Sequence, residues 1–391
     1  KLELSLFAIN ILPKLALHEE NEMKEFILSA EKKEYVSKVI RAENSSIWLG
    51  KVKKMELFRY AINVLPKLQL HEENVMDEFC LSADRIEYVS EAILAENNIW
   101  LGKVNKLDLK LFAINILPKL KLHEENVMEE FSLSVEKEEY VSEVIRAKNN
   151  SIWFGRLKNL RLKSFAIRIL PKLKLHEENE MEEFSLNSEK KEYVSEVIRA
   201  ENNTIWLGSV KKVTLFRYAI NILSKLHEKN VMEELCLSVD RIEHVSEVIR
   251  AENNSIKLGK VNKLDLKLLM INILPKLQLH EENEMEEFLL SADREEYVSE
   301  VILAKNNTIW LGKVKKLELK LFAINILPKL KLHEENEMEE ICLSLIIPKL
   351  EHAYKIILAK KHRISTRGVK NLVLSGYAIN FLPEIHGASD L

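Results

Sequence analysis

The fold is decided by a stretch that reads Val104-Asn-Lys-Leu107-Asp-Leu109-Lys-Leu-Phe112-Ala-Ile114-Asn-Ile-Leu-Pro118-Lys-Leu120 and recurs, lightly changed, eight times in the 391 residues. Leu107 and Leu109 alternate with polar neighbours, which is the period-2 pattern of a strand with one buried face. An apolar run follows and ends near Pro118, which indicates a turn. Each copy is therefore predicted to form a short strand and a tight apolar turn.

The copies recur about every 53 residues, a period marked by the tryptophan of Ile-Trp-Leu-Gly. The column contains Trp48, Trp100, Trp153, Trp206 and Trp310, with Lys257 in place of a further tryptophan. Lys257 predicts that this position lies near the surface. Each unit also has a second half that opens with Met-x-x-Phe-x-Leu, as at Met128, Phe131 and Leu133, and continues with a helical pattern.

A chain of this length exceeds one compact core, but a repeat array escapes that limit because each unit packs only on its neighbours. We predict a single solenoid over residues 1–391, made of about 15 half-repeats. Residues 345–391 are expected to form divergent C-terminal repeats or a cap. The chain opens inside a repeat and without Met, so we expect a fragment or a processed form.

The spacing Leu-x-x-Leu-x-Leu-x-x-x-x-Ile, seen at Val104, Leu107, Leu109 and Ile114, resembles the leucine-rich repeat along almost the whole chain. The resemblance implies an α/β solenoid. It would be a curved array with a parallel sheet of short strands on the concave side and turns or short helices outside. The chain departs from the family where Asn or Cys is usual, since most first halves carry an aromatic residue such as Phe112 there.

An all-α helical-repeat solenoid with two helices per unit is the alternative fold. It would place a proline inside a helix in six copies, at a cost of about 3 kcal/mol each. These prolines are Pro13, Pro66, Pro118, Pro171, Pro275 and Pro328. In a turn after a strand a proline costs little, so the strand-based solenoid is favoured.

Charge and motifs argue against several classes of function. The 58 basic and 61 acidic residues leave a net charge of −3, which gives no electrostatic case for a nucleic-acid partner. No apolar run approaches the ~20 residues of a membrane helix. The sequence has no Gly-rich phosphate loop, nucleophile elbow or metal-spaced His/Cys cluster. We therefore expect no enzyme, no cofactor and no membrane span.

A histidine opens each His-Glu-Glu-Asn or His-Glu-Lys-Asn stretch, at His18, His71, His123, His176, His227, His280 and His333. Equivalent residues would lie two strands, or about 10 Å, apart, too far to share one metal ion. We interpret them as loop residues that make hydrogen bonds, with weak metal binding or pH sensing as the alternative.

Cys80, Cys236 and Cys342 share one strand position and are also too far apart to pair.

Five loops match the glycosylation acceptor pattern, at Asn44, Asn149, Asn202, Asn253 and Asn306. They are copies of one repeat and count as one observation, so a polar loop is the favoured interpretation. Localisation stays open, although free thiols favour the cytoplasm over secretion.

First strands begin with basic pairs such as Lys53-Lys54, and second strands with acidic pairs such as Asp77-Glu78. Neighbouring parallel strands lie about 4.8 Å apart, so these pairs are predicted to neutralise each other. A ligand of alternating charge is the alternative.

Positions that differ between copies on the predicted concave face are the candidate partner-binding residues. These are Phe58, Arg59, Lys110, Lys163, Phe216, Arg217, Lys267 and Lys320. Aromatic residues and arginine dominate binding hot spots, which favours the two Phe-Arg pairs as anchors. The alternative is that they merely cover the sheet.

The leucine-rich-repeat resemblance implies a non-enzymatic protein–protein interaction scaffold that binds a protein partner of unknown identity on its concave face. The first form is an intracellular adaptor, such as the substrate-recognition module of a ubiquitin-ligase assembly. The second is a secreted or surface recognition protein. We expect a monomer.

Overall fold

The computed structural model describes residues 1–15, 17–346, 364–365 and 369–386. The chain divides into two compact units, Lys1–Glu182 and Glu183–Leu391. Of the region predicted as a C-terminal cap, residues 347–363, 366–368 and 387–391 lie outside the described residues. In the described part, every helix is too short or too polar to cross a membrane.

The first unit contains parallel strands that follow the repeat. They are β1 (Leu2–Ser5), β2 (Glu22–Ala30), β3 (Ile47–Arg59), β4 (Leu68–Leu70), β5 (Val75–Met76), β6 (Glu78–Ala83), β7 (Ile99–Val104), β8 (Leu107–Leu111), β9 (Leu120–Leu122), β10 (Val127–Val135), β11 (Ile152–Ser164) and β12 (Leu173–Leu175). The main sheet has the order β1-β2-β3-β6-β8, and β10 pairs with β11. Strands β4, β9 and β12 pair with β3, β7 and β11.

Strand β13 (Glu180–Ser188) crosses the division between the two units. The second unit then contains β14 (Ser209–Arg217), β15 (Val231–Val239), β16 (Ile256–Lys257), β17 (Lys260–Leu268), β18 (Leu277–Gln278), β19 (Glu284–Ala292), β20 (Ile309–Leu321), β21 (Leu330–Leu332), β22 (Glu340–Leu345), β23 (Ile364–Ser365), β24 (Asn371–Gly376) and β25 (Ile385–His386). Its main sheet has the order β14-β15-β17-β19-β20-β22-β24. The strands along this sheet pair in parallel.

A 3₁₀ helix follows each first-half strand. These helices are Leu6–Lys14, Tyr60–Lys67, Phe112–Lys119, Phe165–Lys172, Tyr218–Lys225, Leu269–Lys276, Phe322–Lys329 and Tyr377–Glu384. In the described ranges, six second halves carry a shorter 3₁₀ turn, at Lys33–Val36, Ile86–Tyr88, Glu138–Val141, Lys191–Val194, Ile242–His244 and Glu295–Val298. The α-helices that continue these turns are α1 (Ser37–Ile40), α2 (Ser90–Leu94), α3 (Ser142–Arg146), α4 (Ser195–Arg199), α5 (Ser246–Arg250) and α6 (Ser299–Leu303).

The repeated strand–helix architecture is that of an α/β solenoid-like array, and the all-α alternative is wrong. The structure also corrects two details of the repeat: the strand is longer than predicted, and a 3₁₀ helix takes the place of the predicted tight turn. In the longest copies Ile-Trp-Leu-Gly joins the leucine strand, so that Ile47–Arg59 is one strand of 13 residues. The proline lies within the following 3₁₀ helix, and the carbonyl of Pro66 accepts a hydrogen bond from the amide of Ser45 at 3.0 Å.

The core lies between the strands and the helices. Met55, Leu57, Phe79 and Leu81 are fully buried on the inner side of the first unit's main sheet. Alternate residues of the same strands point away from this core, as the period-2 pattern predicts. Parallel pairing in constant register therefore places equivalent side chains of successive half-units in rows.

Buried asparagines recur in the loops before the second-half strands, and their side chains form hydrogen bonds with backbone groups of neighbouring strands. Asn74 is 1% exposed; its Oδ1 accepts the amide of Val52 at 2.7 Å, and its Nδ2 donates to the carbonyl of Leu101 at 3.1 Å. Other buried members of the row are Asn126, Asn179, Asn230 and Asn283. These are the last residues of the stretches that begin with histidine. Only the histidine of these stretches was predicted to have a role, and the buried asparagine was not predicted.

The glycine of Ile-Trp-Leu-Gly is required by the same contact. Gly102 has φ of +78°, and a Cβ there would lie 2.3 Å from the backbone oxygen of Asn74. Both the left-handed backbone and the close approach exclude a larger residue.

A second row of asparagines ties the helices together. Asn63 Nδ2 donates to the carbonyl of Glu87 at 3.0 Å, and Asn63 Oδ1 accepts the amide of Glu91 at 2.9 Å. One copy carries Arg168 instead, which is 7% exposed and pairs with Glu138 at 2.7 Å. Asn63 thus joins its 3₁₀ helix to the helical segment of the next half-unit, whereas Arg168 pairs with the helical segment of the preceding one.

Candidate functional site

The candidate site is the side of each unit's main sheet that points away from the buried leucines, which we call the outer sheet face. In the second unit its side chains form three rows that cross the strands. Around Leu266, which is fully buried, Lys263, Asp265 and Lys267 represent the first, second and third rows. Each row can be followed residue by residue through the strand register.

The first row alternates in charge. Lys263 pairs in register with Glu234 and Glu287, and its Nζ lies 2.9 Å from the Glu287 carboxylate. In the first unit Lys54 lies 3.0 Å from Glu78, and this hydrogen bond lowers the pKa of Glu78. The predicted neutralisation of basic and acidic strand ends is confirmed at these pairs. A groove of about 600 Å³ follows the row in the second unit.

The second row sets cysteines beside carboxylates. Cys80 pairs in register with Glu56 and Asp108, and Cys236 pairs with Asp265. Burial, with the neighbouring carboxylates, raises the pKa of Cys80 to about 11 and that of Cys236 to about 12. All three cysteines are free thiols. Since the thiolate is the reactive form, this environment suppresses thiol chemistry near neutral pH.

The third row contains most of the predicted partner-binding residues. Lys267 and Lys320 both pair in register with Ser291, which lies between them, so their strands are about 10 Å apart. In the first unit Ser82 lies in the same way between Phe58 and Lys110. The row thus alternates large and small side chains. Lys163 is half-buried and pairs with Ser134.

Three lysines of the third row are ion-paired within their own strands. Lys110 lies 3.0 Å from Asp108, Lys267 lies 2.8 Å from Asp265, and Lys320 lies 2.7 Å from Glu318. Hydrogen bonding to Asp108 and to Asp265 raises the pKa of Lys110 and of Lys267. A partner at these positions therefore meets paired charges.

The two Phe-Arg pairs do not form equivalent anchors. Phe216 is exposed, at 46%, whereas Phe58 is half-buried. Arg59 and Arg217 end their strands with φ of +57° and +55° and immediately precede the 3₁₀ helices. Each guanidinium group pairs with a carboxylate of the preceding half-unit. Arg59 pairs with Glu31, and Arg217 lies 2.8 Å from Glu189.

The repeated histidines have a structural role, as predicted. His71 Nδ1 accepts the backbone amide of Glu73 at 3.0 Å, and the carbonyl of His71 accepts the amide of Asn74 at 3.0 Å. The amide-to-Nδ1 bond recurs at His123, His176, His227, His280 and His333. Within the described ranges, no group of three or more His, Cys, Asp or Glu side chains is arranged to hold a metal ion.

In four glycosylation-pattern loops the asparagine accepts a hydrogen bond from the lysine that ends the following 3₁₀ helix. Asn44 is exposed, and its Oδ1 accepts a hydrogen bond from Lys67 Nζ at 2.8 Å. The residue that follows, Ser45, has φ of +52°. Equivalent lysine bonds reach Asn149, Asn202 and Asn253.

Compared with models of known protein families, with curated proteins and with solved structures, the chain has no match in any of the three.

Proposed function

We propose that the chain is a non-enzymatic protein-binding scaffold of the leucine-rich-repeat type, whose concave surface is the outer sheet face. The parallel strands, the short helices behind them and the constant register all support this proposal. Protein-binding solenoids use such extended surfaces, on which a fixed framework carries side chains that differ from repeat to repeat.

One observation carries the proposal. The buried apolar positions pair in the same register in β10–β11, β14–β15 and β15–β17, yet the outward residue of the second row changes from Asp265 to Thr214 to Arg161. The buried positions beside it keep their apolar character, as at Leu264 and Leu266. Variation of polar and charged residues on the solvent side of a repeated strand pairing is expected of a recognition surface.

The chemistry of the outer sheet face supports binding rather than catalysis. A nucleophilic cysteine needs a lowered pKa, and burial among carboxylates raises the pKa of Cys80 and of Cys342 to about 11. Three lysines of the third row, Lys110, Lys267 and Lys320, are held in ion pairs.

Site-specific photo-crosslinking tests the proposal. The photoreactive residue p-benzoylphenylalanine is placed at position 216, on the outer sheet face, or at position 303, on the opposite side of the same unit. Phe216 is 46% exposed and Leu303 is 80% exposed, so the control is the more accessible position. In cells of the source organism we expect one defined protein adduct from position 216 and none from position 303. Adducts from position 303 alone would place the partner on the helices and refute the proposal.

The intracellular adaptor, including a ligase substrate-recognition module, is the first form of this proposal, and the secreted recognition protein is the second. The hydrogen bond between Lys67 and Asn44 supports the view that these loops are polar turns. Intact mass of the native protein, before and after removal of N-linked glycans, separates the two forms. An unchanged mass supports the adaptor, and a loss of several glycan masses supports secretion.

A further inference from the structure

Five parallel strand pairs set five of the six positions of the tryptophan column, all but Trp206, beside one residue of the following strand. The cross-strand partners are Trp48 and Gln69, Trp100 and Lys121, Trp153 and Lys174, Lys257 and Gln278, and Trp310 and Lys331. One molecule therefore holds several versions of the same contact, and the versions can be compared.

In three copies the lysine lies over the tryptophan ring. The distance from Nζ to the ring centroid is 5.8 Å for Lys121 and 5.7 Å for Lys174 and Lys331. An ammonium group at this distance is attracted by the negative face of the indole. Where Lys257 replaces the tryptophan, its partner is Gln278, which avoids two like charges side by side.

Trp48 keeps the aromatic ring, but its cross-strand partner is the neutral Gln69. Among the described residues, lysines and arginines lie over other aromatic rings, but none lies over Trp48 or Trp206. Trp48 is half-buried, so part of its ring is accessible.

A groove of about 530 Å³ runs between Trp48 and Trp100. The exposed carboxylates of Glu19, Glu20 and Glu72 line it, and its lining contains neither lysine nor arginine. The comparable groove beside the copy without a tryptophan is lined by three lysines, Lys229, Lys257 and Lys260. The groove at Trp48 thus combines an uncovered indole with excess negative charge, and both features attract a cation.

We propose that this groove binds a lysine or arginine side chain from a basic segment of a partner protein. The partner's cation would take the place over Trp48 that Lys121, Lys174 and Lys331 occupy in the other copies. The groove includes no residue of the three rows of the outer sheet face. The inference rests on the proposed function only in taking the ligand to be a protein segment, and it can fail separately.

Fluorine NMR of the full chain labelled with 5-fluorotryptophan tests the inference. The five tryptophan signals are assigned with single Trp→Phe variants. The probe is a capped peptide of alternating glycine and lysine, and the matched control is the same peptide with glutamate in place of lysine. We expect the lysine peptide to shift the Trp48 signal first and the glutamate peptide to leave it in place at equal ionic strength.

Two variants taken from the chain's own copies sharpen the test. Gln69→Lys supplies the missing cation and should weaken binding at Trp48 by about two- to thirtyfold, the range that a cation–π contact corresponds to. Lys121→Gln uncovers Trp100 and should make its signal respond to the peptide as well. Both residue types occur naturally at this position, so unchanged signals from the other tryptophans should report an intact fold.

The inference is overturned if the Trp48 signal ignores the lysine peptide, or if Gln69→Lys leaves the peptide's effect unchanged. Neither result bears on crosslinking from position 216. A failed crosslink would likewise leave the response of Trp48 unaltered, so the two proposals are tested separately.

Discussion

The side-chain Oδ1 of Asn126 accepts the backbone amide of Val104 at 2.7 Å, while its Nδ2 donates to the carbonyl of Phe154 at 3.0 Å. Asn126 is fully buried. One amide group therefore satisfies backbone groups of two different strands, β7 and β11, where water has no access.

Asn126→Ala is expected to lower the free energy of unfolding by about 2–4 kcal/mol, because it leaves a buried donor and a buried acceptor without partners. Exposed Asn97 supplies the matched control, and Asn97→Ala should change stability by less than about 0.5 kcal/mol. Urea unfolding followed by circular dichroism measures both. Equal stability of the two variants would show that the buried amide contributes nothing.

Leu111 should reverse the usual order of alanine and glycine. It has φ of +56° and ψ of −127°, a conformation that costs a residue with a Cβ about 1–3 kcal/mol, and Gly376 occupies the equivalent position in the last copy. Leu111→Gly should therefore be more stable than Leu111→Ala by about 1 kcal/mol in thermal unfolding. At neighbouring Lys110, where φ is ordinary, the alanine variant should be the more stable. The same order at both positions would contradict the strain.

Alkylation of Cys236 should depend on pH in an unusual way. Its raised pKa, about 12, leaves little thiolate at neutral pH. The rate with iodoacetamide should therefore keep rising above pH 10, whereas an ordinary thiol levels off about one unit above its pKa of roughly 8.5. Peptide mass spectrometry of the labelled chain measures the rate, and the urea-unfolded chain is the control. A plateau near pH 9 in the folded chain would be inconsistent with the raised pKa.

Phe216 should be dispensable for stability if it belongs to the recognition surface. The chain already carries lysine at the equivalent Lys267 and Lys320, so Phe216→Lys should change the free energy of unfolding by less than about 0.5 kcal/mol. The same variant should lose the partner crosslinked at the outer sheet face. Leu303→Arg, on the opposite side, adds a residue found in other copies and should retain the partner. A sharp drop in Tm for Phe216→Lys would instead make Phe216 part of the core.

The alternation of apolar and polar residues was enough to predict the strands, their buried face and the charged row. Leu107 and Leu109 are buried as expected, and Lys54 and Glu78 pair as expected, because strand register follows directly from a period of two. The 3₁₀ helix could not be read in the same way. Its apolar run, as in Phe112–Lys119, has neither the length nor the spacing of an α-helix, and its proline indicated a turn.

The asparagine rows were missed for a different reason. A polar residue in a loop normally reads as exposed, and burial of Asn74 depends on contacts with β3 and β7, far from it in sequence. The signal available was its recurrence after His-Glu-Glu in successive units. Arg59, a predicted anchor, forms an ion pair with Glu31, and this pairing likewise could not be predicted without the fold.

The reach of the Asn74 side chain also bears on how the array opens. The Asn74 side-chain amide is hydrogen-bonded to both β3 and β7. One repeat therefore cannot detach without breaking hydrogen bonds to the strands on both of its sides. Nearest-neighbour coupling of this kind makes a repeat array lose structure in blocks longer than one repeat. Amide hydrogen exchange of Val52 and its equivalents should therefore report the opening of several neighbouring repeats together rather than the fraying of one loop.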